Sequence, residues 1–162
     1  MAQHRHSVRN ISSVGTLWWC PQALLKFGQN AKPLRDYHPA YSLGTARGTL
    51  LRVLPGTSNG AGGHFRKLFF KLVKDDFIGQ AGSNKDTSLF CFPEFISARA
   101  YPHTTRLLGV LQLDVQRKIS AWAMRACSVD GATRLRDELF RERAIEPGDH
   151  AGGTSTQAVR MP

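Results

Sequence analysis

The chain has 162 residues, 41% of them hydrophobic, with 22 Lys+Arg against 12 Asp+Glu, a formal net charge of +10 and a pI near 10.2. That length and apolar fraction fit one modest core. Three widely spaced cysteines, Cys20, Cys91 and Cys127, argue against a disulfide framework and for a reducing compartment, and no run approaches the ~20 apolar residues of a membrane-spanning helix.

The charge is unevenly placed. Residues 1–74 hold 11 cationic side chains and one carboxylate, Asp36, for a net +10, whereas residues 75–162 hold 11 of each sign and balance. An excess gathered in one half points to a polyanionic partner: nucleic acid, an anionic membrane surface or an acidic protein.

In chain order, residues 1–35 form a basic arm free of Asp and Glu. Arg5, Arg9, Lys26, Lys32 and Arg35 are interspersed with Ser7, Ser12 and Ser13, and Ile11, Val14, Leu17 and Trp18 lie opposite Arg5 and Arg9 at helical pitch. An Arg- and Ser-containing, acid-free, weakly amphipathic start describes a mitochondrial transit segment as well as a plain basic arm. Trp18 and Trp19, followed by Leu24, Leu25 and Phe27, make either an interfacial membrane anchor or a hydrophobic element packed on protein.

Residues 36–63 are broken by Pro39, Pro55 and several glycines and read as an extended Gly/Pro-rich segment, with one short strand at Thr49–Leu54. The run from Gly56 to Gly63 resembles a phosphate loop only in composition. Neither the Walker spacing nor the third glycine of the dinucleotide pattern is present.

Residues 64–147 are expected to form a small helical domain. Phe65, Leu68, Phe69, Leu72 and Phe77 recur at roughly helical spacing, which predicts a basic amphipathic helix over His64–Ile78. On that helix Lys67, Lys71 and Lys74 fall at i, i+4, i+7 and form a cationic ridge with Arg66. Arg47 and Arg52 lie just upstream. Ser88–Phe92 and Ile96–Tyr101 predict two short strands. Leu108, Leu111, Val115, Ile119, Trp122 and Ala126 predict a helix over Thr104–Cys127, and a second helix from Gly131 to about Ile145 completes an αα-hairpin. Residues 148–162 read as a polar tail.

The expected fold is therefore mainly α with a few short strands (α+β). No G-x-S-x-G elbow, H-E-x-x-H helix or zinc-ligand spacing occurs, so no enzyme, cofactor or metal site is predicted. The expected function is a non-enzymatic RNA-binding component of a ribonucleoprotein, organellar-ribosome-like, contacting phosphates through Arg66, Lys67, Lys71, Lys74, Arg47 and Arg52 beside neighbouring subunits. The alternative is an accessory subunit of a membrane-associated mitochondrial complex, making peripheral membrane contact through Trp18 and Trp19.

Overall fold

The computed structural model describes residues 13–29, 35–58, 62–79, 86–101 and 105–142. Seven strands, β1 (Thr16–Pro21), β2 (Tyr37–Ala46), β3 (Leu50–Thr57), β4 (Phe69–Leu72), β5 (Thr87–Phe90), β6 (Glu94–Ser97) and β7 (Leu107–Val110), precede helix α1 (Leu113–Ser128) and a second helix, α2, over 132–142. Every strand pair is antiparallel, in the order β4-β5-β3-β2-β1-β7, with β6 beside β5 along the same edge of β3. This overturns the expectation of a mainly α chain: the architecture is a seven-stranded antiparallel sheet with two short helices.

The ends of the sheet meet. Beyond β4 the chain turns through Lys74–Asp76 and reaches β7, where Phe77 bridges Leu111 and the Ile78 N–H donates to the Val110 carbonyl at 2.8 Å. The sheet thus curls into a small barrel, closed by this single bridge and the hydrogen bonds beside it rather than by pairing of β4 with β7. Leu17, Tyr41, Leu54, Leu72, Leu89 and Leu108 contribute one residue each from β1, β2, β3, β4, β5 and β7 to a shared core with Phe77 and Leu111. α1 adds Val115, Ile119 and Ala123 to that core, and its Asp114–Lys118 pair stands 3.5 Å apart on the exposed face.

The strands answer to local chemistry that reads differently in isolation. Thr16–Pro21 is rich in β-formers, and both its faces find apolar company. Leu17 and Trp19 pack on the barrel core, while Trp18 and Cys20 join Leu25, Ala40, Leu51, Val53, Ile96 and Tyr101 outside it. Pro55, read from sequence as a breaker, falls where β3 passes from pairing with β6 (Leu50–Val53) to pairing with β5 (Gly56–Thr57), so its missing N–H interrupts no ladder. Gly44, at φ +94, supplies the bulge in β2 between Ser42 and Thr45.

The predicted helix His64–Ile78 does not form. Gly63–Leu68 is a 3-10 turn, Phe69–Leu72 is β4 paired with β5, and Lys74–Asp76 is a second 3-10 turn. The reason is visible in the burial pattern. Phe65, Leu68, Leu72 and Phe77 are buried as predicted, but spacings of three and four over so few residues suit a 3-10 turn followed by a strand equally well. The ladder Phe69↔Phe90 through Leu72↔Thr87 selects the strand.

The predicted helix over Thr104–Cys127 is shortened at its start. Leu107–Val110 pairs with β1, and the helix begins at Leu113 after Gln112. The predicted second helix is present as α2. Residues 1–12, 30–34, 59–61, 80–85, 102–104 and 143–162 lie outside the described residues, and with them the first part of the transit-like 1–35 segment and all of the polar tail. The remainder of the two upstream segments supplies β1, β2 and β3, the centre of the sheet.

Candidate nucleic-acid interface

The six cations singled out by sequence are all exposed, but they do not share one ridge. Arg66 and Lys67 sit on the 3-10 turn that docks on α2 through His64 and Glu138, Lys71 projects from β4, and Lys74 lies at the join between β4 and β7. Arg47 occupies the β2–β3 turn at φ +47, and Arg52 lies on β3. Lys71 pairs with Asp86 at 3.0 Å; the other five make no ion pair among the described residues. The i, i+4, i+7 alignment is lost with the helix that would have produced it.

Trp18 and Trp19 are accounted for by the fold. Trp18 is 1% exposed, and its indole N–H donates to Thr16 Oγ1 at 2.8 Å, itself bonded to the Ser13 carbonyl. Trp19 is half-buried against the barrel core, and its carbonyl accepts from Tyr101 and Thr105 hydroxyls. Neither indole is presented as an interfacial anchor, and no described helix is long and apolar enough to cross a membrane.

What the tertiary structure brings together is a different set. Arg52 on β3 is the register partner of Phe95 on β6, so both side chains leave the same face of the sheet side by side. Phe95 is 58% exposed, unusual for a phenylalanine on a strand. It forms one wall of a cleft of about 450 Å³ whose other walls include Phe90, Phe92, Phe140, Lys26 and Arg136. The Arg136 guanidinium stands 4.9 Å from the Phe92 ring centre and bonds Asp137 through both Nε and a terminal nitrogen at 3.1 Å. It is therefore held within cation–π distance of an aromatic face.

Phe90, Phe92 and Phe140 line the cleft, and Phe27 packs on Phe90; the centroid separations from Phe90 to Phe27, Phe92 and Phe140 are 5.0–5.7 Å. Glu94 holds the lip. Its two carboxylate oxygens accept from the backbone N–H groups of Lys26 (2.6 Å) and Phe27 (2.9 Å), tying the 22–29 loop to β6. Beneath the loop, buried His38 and Gln22 meet over Gly28. A Cβ there would stand 2.9 Å from His38 Nε2 and 3.0 Å from Gln22 Oε1, and φ is +74, so glycine is required on both counts.

Sequence reading missed Phe95, Phe92, Phe140, Lys26 and Arg136. The density of aromatics in Leu89–Phe95 was the available signal, but Arg136 reads locally as part of a mixed-sign solvent face. Buried thiols offer no nucleophile: desolvation pushes Cys20 up to about 12, against the pull of its Tyr101 hydrogen bond, and Cys91 likewise to about 12. Among the described residues, His64, Glu138 and Glu142 gather ligand atoms within 4.8 Å; a divalent cation held there would clamp the 3-10 turn to α2.

Fold and site together define a small antiparallel barrel carrying a cation-flanked aromatic cleft between its β6 edge and α2. No family model and no curated protein sequence matches this chain.

Proposed function

We propose that this protein binds single-stranded RNA across the surface running from Arg52 and Phe95 to the cleft, as a non-enzymatic component of a ribonucleoprotein assembly. The observation that carries the reading is the Arg52–Phe95 cross-strand pair opening onto an aromatic cleft flanked by Lys26 and Arg136. Single-stranded RNA is held by cations on phosphates and by bases stacked on aromatic and Arg planes, and this surface offers both within one patch. The net charge of +10 supplies long-range attraction to the same partner.

Anisotropy of a labelled single-stranded RNA of about 12 nucleotides tests it. Arg52, Lys26 and Arg136 engaging one phosphate each give log K against log salt a slope near −2, about −0.7 per contact. Arg52→Glu weakens binding about tenfold and flattens the slope by about one contact, while Lys74→Glu, the same charge change at the far join of the barrel, has a smaller effect. Equal losses from the two variants would reduce the site to diffuse charge. Shortened RNA in the same tube, dependent on the protein, would overturn the non-enzymatic part of the reading.

A further inference from the structure

The geometry points to a base-selective subsite: we infer that the cleft between β6 and α2 receives one unpaired guanine of a bound RNA, an inference that rests on the RNA-binding reading above. At about 450 Å³ the cleft falls within the range of small-ligand sites, roughly 300–1,000 Å³, and a nucleobase occupies only part of it. Phe92, Phe95 and Phe140 offer flat apolar faces, and the Arg136 guanidinium stands within cation–π distance of Phe92. A π-face alone takes any base. The selectivity comes from the polar groups in the wall.

Those groups are two cations, Lys26 and Arg136, and two carboxylates, Glu94 and Asp137. Both Glu94 oxygens already accept backbone N–H groups. Asp137 lines the cleft with a side chain 56% exposed and bonds Arg136 through Oδ1, so Oδ2 is the oxygen open to a ligand. The two lone pairs of that oxygen suit two adjacent donors. Guanine presents them, N1–H beside the 2-amino group, whereas adenine and cytosine each set one amine beside an acceptor nitrogen and uracil flanks its N3–H with two carbonyls. Guanine also carries the O6 and N7 acceptors that Arg and Lys read most often. The polar lining of the cleft is thus complementary to guanine on both edges and mismatched to each of the other three bases on at least one.

The test uses the full chain and oligouridylates of about 12 nucleotides carrying one central G, A, C or U, followed by anisotropy. The G-containing strand binds about tenfold tighter than the other three, the discrimination of one bidentate contact. Asp137→Asn abolishes that preference, read as the ratio of G-strand to all-uridine affinity within the variant, so that any general weakening through Arg136 cancels. Phe92→Leu weakens every strand. Free 5′-GMP displaces the RNA at lower concentration than 5′-AMP. Tight binding of all four strands without preference, or a guanine preference that survives Asp137→Asn, overturns the guanine subsite and leaves RNA binding standing. Absence of binding to every strand overturns both.

Discussion

Substituting Gly109 by alanine separates the barrel from the helix that the sequence predicts at this position. In an exposed helix interior, Gly→Ala stabilises by about 1 kcal/mol. In the barrel, Gly109 lies on β7 with the Phe77 ring against it. A Cβ there would stand 2.4 Å from Phe77 Cδ1 and 2.7 Å from Cε1, where carbon–carbon contact is ordinarily about 3.5–4.0 Å, so the ring edge must retreat by about 1 Å. It has little room to do so. Phe77 is 9% exposed, and its backbone is fixed by the Leu111 bridge and the neighbouring Ile78–Val110 hydrogen bond. Overpacking of this kind costs about 1–3 kcal/mol, and the residual backbone gain of alanine offsets about 0.5–1 of it. The expected net loss is about 1–2 kcal/mol, read as a lowered urea midpoint at unchanged m-value. Phe77→Leu relieves the clash, so the double variant should be more stable than the sum of the single losses by at least about 0.5 kcal/mol. Stabilisation by Gly109→Ala alone, or strict additivity with Phe77→Leu, would refute closure of the sheet through Phe77.

Three further outcomes follow from the same fold. Glu94→Ala removes the acceptor of the Lys26 and Phe27 N–H groups, of which water reaches the exposed Lys26 one, and should lower stability by about 1–2 kcal/mol in thermal or urea unfolding, with Glu94→Gln recovering part of the loss through its one remaining oxygen. Arg47→Gly removes a side chain from positive φ and should raise stability by about 0.5–1 kcal/mol while leaving strand pairing intact; a lowered melting temperature would show that the Arg47 side chain holds the turn. Stability should also decline at alkaline pH. Cys20 and Cys91 have folded values raised from 9.0 to about 12, so both stay protonated in the fold while the unfolded chain releases their protons. The contribution is therefore complete below pH 9 and is lost between 9 and 12, at about 1.4 kcal/mol per pH unit for each thiol. Tyr41, raised by desolvation from 10.0 to about 12, adds to the decline above pH 10, and Cys20→Ala should reduce the slope by about one proton in a urea series taken across that window.

Local pattern was sufficient for elements whose period is long or whose pairing is near. α2 and most of α1 were legible from apolar steps of three and four and from the stop before Pro147, and the strands near Thr49–Leu54 and Ser88–Phe92 from their β-formers. The four-residue strands β4 and β7 gave no such signal. β4 and β7 each lie next to helix-compatible apolar residues, and their conformation was decided by partners at β5 and β1 rather than by their own sequence.

Residue order alone carried the burial of Phe65, Leu68, Leu72 and Phe77 (though not the partial exposure of Phe69), the excess of cations over carboxylates ahead of residue 75, and the helices that close the chain's described part. That Trp18 belongs to the core, that Lys67, Lys71 and Lys74 lie on three different elements, and that Arg52 stands beside Phe95 at the mouth of a cleft shared with Arg136 emerged only from the packing of distant segments. The physical reason is range. Burial preference and charge are properties of single residues, whereas a strand's hydrogen bonds come from a separate segment, and this cleft's walls from segments more than forty residues apart, whose register no local spacing records.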